Sequence, residues 1–450
     1  MHGRMMQLPL IVSSLIQHAE RYHGDTEIVS RSVEGPIHRT TYVAAHRRSR
    51  QLAKALQRLG VQASERVGTL AWNGYRHFEL YYAVSGQGAV LHTINPRLFL
   101  EQIAWIVNHA EDRVLCFDIG FADLVAKLVP LCPRVRQWIA MSDRAQLPQL
   151  GIANLLCYED LVAAESADFA WPELDESSAA VLCYTSGTTG NPKGVLYSHR
   201  STLLHAFASS LPDAMNLSAR DVVLPVVPMF HVNAWGLPYS AAMVGAKLVL
   251  PGPAMDGASL HELFESEQVT FTAGVPTVWL GLLQHLQKTG KPLSTVKRMI
   301  VGGAACPPTL MQAFEQHYGV RLQHAWGMTE LSPLGTVNTL KAAHGALDAE
   351  QRFALGTKQG RPPFGIDLKI VDSAGAELPR DGRHNGDLLV RGHWVVQDYY
   401  GLDASPLQDG WFPTGDVANL DADGFLQITD RSKDVIKSGG EWISSIDLEN

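Results

Sequence analysis

Two kinds of apolar pattern alternate along the first third of the chain. Over residues 42–59 apolar side chains recur at helical spacing with basic residues between them, whereas Val67-Gly68-Thr69-Leu70-Ala71-Trp72 is a short run of the kind a buried strand carries. Residues 78–85 read as the next helix, and Val114-Leu115-Cys116-Phe117 and Trp138-Ile139-Ala140-Met141 continue the strands. Strand-like runs return at residues 222–227, Lys247–Leu250, residues 270–273 and Arg298–Val301. Strands alternating with helices predict α/β layers on largely parallel sheets.

From about residue 356 the texture shifts to short strands broken by Gly, Pro and Asp, clearest at Ile366–Val371 and residues 387–390 and 425–429. The fold class expected is therefore α/β: a large N-terminal domain of two layered α/β subdomains followed by a small β-rich subdomain. The Asp421-Ala422-Asp423-Gly424 turn lacks the full acidic ligand pattern of a calcium loop and reads as a hairpin turn.

Composition narrows the function classes. At 450 residues the chain exceeds the size of a single core. Hydrophobic content of 46% with 18% charge is that of a soluble globular protein. No apolar run reaches bilayer-spanning length and Met1-His2-Gly3-Arg4 does not lead into a signal peptide, so a cytoplasmic protein is expected. A net charge of −8 argues against a nucleic-acid partner. The five cysteines show no metal-ligand spacing, and Cys183 and Cys306, set among small apolar residues, read as buried packing rather than nucleophiles.

The candidate chemistry begins at Tyr184-Thr185-Ser186-Gly187-Thr188-Thr189-Gly190-Asn191-Pro192-Lys193-Gly194, directly behind a strand-like run. Glycines let backbone amides converge on an anion, hydroxyls add donors and Lys193 adds a point charge, so the loop reads as a polyphosphate cradle in preference to a plain flexible turn. It is not a Walker sequence, because Pro192 precedes the lysine and Gly194 follows it. Three further blocks follow in order: His324-Ala325-Trp326-Gly327-Met328-Thr329-Glu330, Trp411-Phe412-Pro413-Thr414-Gly415-Asp416, and Asp430-Arg431-Ser432-Lys433-Asp434-Val435-Ile436-Lys437. Together these resemble the signature blocks of the adenylate-forming superfamily of acyl-CoA synthetases, luciferases and peptide-synthetase adenylation domains, over most of the chain.

The resemblance implies roles. Thr185 and Glu330 would hold Mg2+, a hydroxyl and a hard carboxylate suiting that ion. Ser186, Gly187, Thr188, Thr189, Gly190 and Lys193 would clasp the outer phosphates of ATP, and Thr329 would meet the α-phosphate. Adenine would lie by Gly302-Gly303-Ala304 beneath His324, Ala325, Trp326 and Gly327. Asp416 would accept the ribose hydroxyls, with Arg431 at the same sugar. His231 would line the acyl site near the reacting carboxylate, and Trp235 matches a tryptophan that gates the acyl tunnel in some bacterial fatty-acyl-CoA synthetases. Lys433 falls at the hinge, and Lys437 and Trp442 fall where relatives contact nucleotide or CoA. Plainer readings stand beside these: Glu330 as a helix-start carboxylate, Asp416 as a turn cap after Gly415, and His231 and Trp235 as core packing.

The implied function is an AMP-forming acid–thiol ligase that activates a fatty acid as acyl-AMP and transfers it to CoA. The Phe230-His231-Val232-Asn233 stretch lacks the acidic partner an amino-acid substrate would need, and Gly440-Glu441-Trp442-Ile443-Ser444-Ser445 resembles medium- to long-chain enzymes. Ligases of short acids such as methylthio-propionate share this wording and are the alternative. A non-catalytic acyl-adenylate-binding remnant is the alternative of another class, and a luciferase-like oxygenase is a third. In the family a mobile domain of roughly a hundred residues follows the hinge. The sequence in hand stops at Asn450, so the expectation is an AMP-binding domain over 1–432 with a hinge and stub over 433–450, able to bind but slow to turn over. Related fatty-acyl-CoA synthetases form homodimers through the N-terminal segment, which the resemblance extends to this chain.

Overall fold

The computed structural model describes all residues except 154, 186–190, 432–435, 439–440 and 444–450; at 431, 436–438 and 441–443 it describes the backbone alone. The chain divides into two compact units, one of residues 1–207 and 217–255, the other of residues 208–216 and 256–450.

In the first unit a seven-stranded sheet runs, edge to edge, Leu155–Cys157, Gln137–Ala140, Val114–Phe117, Arg66–Leu70, Val90–Thr93, Ala179–Tyr184 and Gly194–Ser198. All pairs are parallel except the last, an antiparallel hairpin that places Tyr184 opposite Gly194. A further run of strands, Val222–Pro225, Lys247–Leu250, Glu27–Arg31 and Ile37–Thr41, is parallel until its final antiparallel pair. Helices Val12–His23, Tyr42–Arg58, Tyr75–Gly86 and Leu237–Val244 pack on one another. Tyr75–Gly86 is buried on every face, which explains its weak amphipathic pattern.

The expected boundaries shift for identifiable reasons. The strand read over 67–72 spans Arg66–Leu70, because the Trp72 N–H leaves the ladder for Asp118 Oδ2 at 2.7 Å. The run at 222–227 leaves its sheet at Pro225, and Asn73 Nδ2 donates to the carbonyls of Pro225 and Val227 at 2.8 and 3.0 Å. The helix read over 78–85 begins at Tyr75, whose N–H donates to Ser30 Oγ at 3.1 Å.

The second unit carries parallel strands Phe271–Gly274, Arg298–Val301 and Leu322–Gly327, then an antiparallel Leu334–Val337. Helices Gly257–Ser266, Pro276–Thr289 and Pro308–Tyr318 alternate with them, the first capped by Asp256 Oδ1 accepting from the N–H groups of Ala258 and Ser259. The β-rich part is a four-stranded antiparallel sheet, Ile366–Val371, Gly386–Gly392, Phe412–Leu420 and Leu426–Arg431. Its last turn is the hairpin expected at residues 421–424, closed by Asp421 Oδ1 accepting from Asp423 and Phe425. A short hairpin, Ile436–Ser438 with Glu441–Ile443, follows.

Candidate functional site

In the first unit the loop that reads as a phosphate cradle joins the two arms of the Ala179–Tyr184 and Gly194–Ser198 hairpin. Its ends are tied: the Thr185 N–H donates to the Lys193 carbonyl at 2.9 Å and the Lys193 N–H to Thr185 Oγ1 at 3.1 Å. Ser186, Gly187, Thr188, Thr189 and Gly190 lie outside the described residues.

Thr185 also opens onto a recess. Tyr184, Phe230, His231, Thr93 and Asn95 line it with the aliphatic side chains of Ile94, Leu98 and Ile106. These come from the C-terminal ends of neighbouring strands, the edge where parallel sheets bind ligands, together with Leu98 before and Ile106 within helix Leu100–Ala110 and the segment past Pro225. Tyr184 is held by its hydroxyl against His109 Nδ1 at 2.7 Å, with the Trp105 ring edge-on to it. The segment leading to His231 is fixed by Asn73 Oδ1, which accepts from the Met229 N–H at 2.7 Å, and by the Tyr81 hydroxyl, which donates to the Met229 carbonyl at 2.5 Å. His231 stays exposed to the recess, yet protein crowds the rest of the ring. That desolvation, and then the Arg97 guanidinium, lower its pKa and favour the neutral imidazole. Arg97 itself lies over the rings of Trp72 and Phe230. Trp235 is buried and does not line the recess.

In the second unit the predicted residues gather around two strand ends. Val301 and His324 are register partners, so Gly302, Gly303 and Ala304 leave their strand beside the His324-Ala325-Trp326-Gly327 strand. His324 Nδ1 bonds the Thr357 carbonyl at 3.0 Å, and the ring also bonds the Ala304 backbone; burial lowers its pKa against those two bonds. The Trp326 indole Nε1 donates to Asp416 Oδ2 at 3.0 Å, both groups being buried. Asp416 thus has a partner beyond the turn, and it stands opposite Arg431 in the antiparallel register. Thr329 and Glu330 form a buried 3₁₀ turn, with Glu330 Oε1 accepting from the Tyr399 hydroxyl at 2.8 Å and the Glu330 carbonyl from the Val396 N–H at 2.7 Å. Burial first, and then the Glu330 charge, push the Tyr399 pKa well up, so its hydroxyl stays a donor. The reading of Glu330 as a helix-start carboxylate is right about the local turn and leaves out Tyr399.

Sequence reasoning missed Tyr399, Thr93, Arg97 and Gly335, and it placed Tyr184 and Gly327 in their motifs without these contacts. A Cβ on Gly335 would strike the Trp326 ring, and one on Gly327 the Pro333 carbonyl. The Tyr399-Tyr400-Gly401 cluster was the one visible cue to the first of these. Cys183 and Cys306 are buried, and burial pushes their thiols up to about 11 and about 12, against a nucleophilic role. Lys433 lies outside the described residues; Lys437 and Trp442 face each other in the backbone register of the last hairpin. Thr185 belongs to the first unit and Glu330 to the second. No cluster of three metal-ligating side chains occurs among the described residues.

The fold matches an anthranilate–CoA ligase solved with anthranoyl-AMP, at a TM-score of 0.87 and 23% identity, covering 99% of this chain and 82% of that one. It also matches the N-terminal domain of FACL13 from Mycobacterium tuberculosis, at 0.80 and 23%, covering 94% and 100%. The chain belongs to the AMP-binding enzyme family, which it matches over residues 15–400. Relatives include a medium-chain-fatty-acid–CoA ligase of Ectopseudomonas oleovorans, 53% identical over 100% of this chain and 83% of that protein. A 3-methylmercaptopropionyl-CoA ligase of Ruegeria lacuscaerulensis is 55% identical over 100% and 84%. A long-chain-fatty-acid–CoA ligase of Thermus thermophilus is 46% identical over 99% and 81%.

Proposed function

We propose that this protein is an AMP-forming acid–CoA ligase whose acid is a fatty acid. The observation that carries the reading is the recess of the first unit, where apolar Ile94, Leu98, Ile106 and Phe230 line the same space as polar Thr185 and His231, Thr185 standing at the start of the phosphate loop. An apolar tail and a carboxylate head suit that polarity.

A free carboxylate is a poor acyl donor. One of its oxygens attacks the α-phosphorus of ATP, pyrophosphate leaves, and the resulting acyl-AMP is attacked by the CoA thiol with AMP departing. Positioning and charge compensation supply most of such a rate. In this reading neutral His231 offers an N–H to the carboxylate without first taking up a proton, and Lys193 with residues 186–190 meets the outer phosphates. Thr329 meets the α-phosphate. The flat strand end at Ala325 and Trp326, with Gly302, Gly303 and Ala304, takes the adenine. Asp416, oriented by the Trp326 indole, accepts the ribose hydroxyls with Arg431 beside it.

Mg2+ is part of the same reading. Glu330 fits a hard cation, because Tyr399 occupies one carboxylate oxygen and, among the described residues, none bonds the other; the Thr185 hydroxyl is the second donor. The ion would neutralise phosphate charge. Lys437 and Trp442 are proposed contacts to nucleotide or CoA, and Lys433 the hinge. No helix among the described residues is long and apolar enough to cross a membrane. A cytoplasmic location and a homodimer complete the reading, the latter checked by light scattering.

A second reading, a short thioether acid as substrate, is favoured by the 55% identity to a 3-methylmercaptopropionyl-CoA ligase. Calorimetric titration with non-hydrolysable acyl-adenylates from propionyl to palmitoyl separates the two. Each buried methylene adds about 0.8 kcal/mol, roughly fourfold in affinity. Affinity that climbs through eight or more carbons supports the fatty acid, a maximum at three to five supports the short acid, and no binding at all removes the site assignment.

A further inference from the structure

Four consecutive non-glycine residues hold the left-handed backbone region: Val232, Asn233, Ala234 and Trp235 have φ of 45°, 54°, 50° and 56°, and Gly236 follows at 77°. This is one turn of left-handed helix built from L-residues. Of the four, Asn alone tolerates that region well, and a β-branched valine is a true outlier there. Such a conformation persists only where its surroundings over-determine it.

The surroundings are specific. Before the turn, Asn73 and Tyr81 pin Met229 from two sides. After it, Gly236 lies so close to the His205 ring that a Cβ would stand 2.7 Å from Nδ1. Inside it, Asn233 Oδ1 accepts from the Cys183 thiol at 3.2 Å, and the same sulfur lies 3.3 Å from Thr93 Oγ1. All three residues are buried. Thr93 lines the recess; Cys183 directly precedes Tyr184 and Thr185, which line it; and the turn directly follows Phe230 and His231, which line it too. One line of hydrogen bonds therefore ties together three separate stretches of the recess wall.

We infer that Asn233, tied through Cys183 to Thr93, is a positioning residue that fixes the Phe230–His231 wall and thereby sets which acyl length the recess accepts. The inference rests on reading the recess as the acyl site. Without the tie no side-chain bond holds Asn233 to Cys183 beneath the recess, and the strained Val232 and Ala234 are free to relax toward ordinary backbone. The wall then moves, and a long acyl chain, which touches more of it, responds differently from a short one.

The test is calorimetry on the full chain with non-hydrolysable propionyl- and octanoyl-adenylates, beside thermal unfolding. Asn233→Gly keeps the left-handed backbone accessible and removes the bond; Cys183→Ala removes the donor; Cys183→Ser restores a donor. The expected result is that the octanoyl-to-propionyl affinity ratio shifts by about tenfold, the scale of one buried hydrogen bond, in both Asn233→Gly and Cys183→Ala. It returns to within about threefold in Cys183→Ser, and the double variant is no worse than the more affected single one. A merely structural role lowers the melting temperature and leaves the ratio alone; that outcome in folded Asn233→Gly and Cys183→Ala overturns the inference. A wild-type chain that binds neither analogue removes the acyl-site reading itself, and is seen before any variant is made.

Discussion

Replacing Trp326 by Phe tests the pair at the centre of the second unit. The indole N–H is 3.0 Å from Asp416 Oδ2, Trp326 is 9% exposed and Asp416 3%. A hydrogen bond to a buried charged acceptor contributes about 1.5–3 kcal/mol. The smaller ring also gives up packing made possible by the missing Cβ of Gly335, on the order of 1 kcal/mol. Trp326→Phe should therefore cost about 2–4 kcal/mol. Because ring loss and bond loss are mixed in that figure, the bond is isolated by a cycle with Asp416→Ala and the double variant, read from urea midpoints at constant slope. A coupling of about 1–2 kcal/mol is expected. A coupling within about 0.5 kcal/mol would show that the indole does not orient the carboxylate, and the proposed ribose acceptor would lose its support.

Three further outcomes follow from the first unit. Burial lowers His77 and His199 to about 4 and His205 to about 3, so the fold keeps them neutral while the unfolded chain takes up protons below about 6.5. Their contribution is present above that pH and is lost as pH falls, at roughly 2 kcal/mol each by pH 5. Asp118, raised to about 7 by burial, works the other way, holding a proton in the fold and losing stability as pH rises through 7. Three against one, acidification from pH 7 to 5 should lower the unfolding free energy, and Asp118→Asn should stabilise at pH 8 but not at pH 5; denaturant titrations at the two pH values that agree would count against both assignments. Gly236→Ala should lower stability by about 1–3 kcal/mol, since φ is 77° and the new Cβ meets His205, and a melting temperature equal to that of the parent would contradict the left-handed turn.

The strands were legible where apolar runs were unbroken: Val114–Phe117, Lys247–Leu250, Arg298–Val301 and Ile366–Val371 stand where the pattern put them. Of the loop after Tyr184, the structure describes the closing ends at Thr185 and Lys193, which the strand-like run before it already announced. What stayed hidden was non-local. The order of parallel strands brings Thr93 beside Cys183, and no spacing rule encodes that order. Tyr399 reaches Glu330 from a segment whose Tyr399-Tyr400-Gly401 cluster hints at a site but not at this partner. The left-handed turn was invisible because valine, alanine and tryptophan do not favour it and tertiary contacts impose it.

The hairpin that carries the phosphate loop bears on how the site comes into being. Lys193 and Thr185 close that loop across a separation of eight residues, whereas Asn233 and Cys183 meet across fifty, and Cys183 and Thr93 across ninety. Closure entropy rises with loop length, and contacts of high sequence separation are slow to form. The contacts that close the loop can thus form within their own stretch of chain. The ties around the apolar recess need the parallel sheet in place, so the order expected from sequence separation is loop before recess, the loop's shape preceding any discrimination between acids.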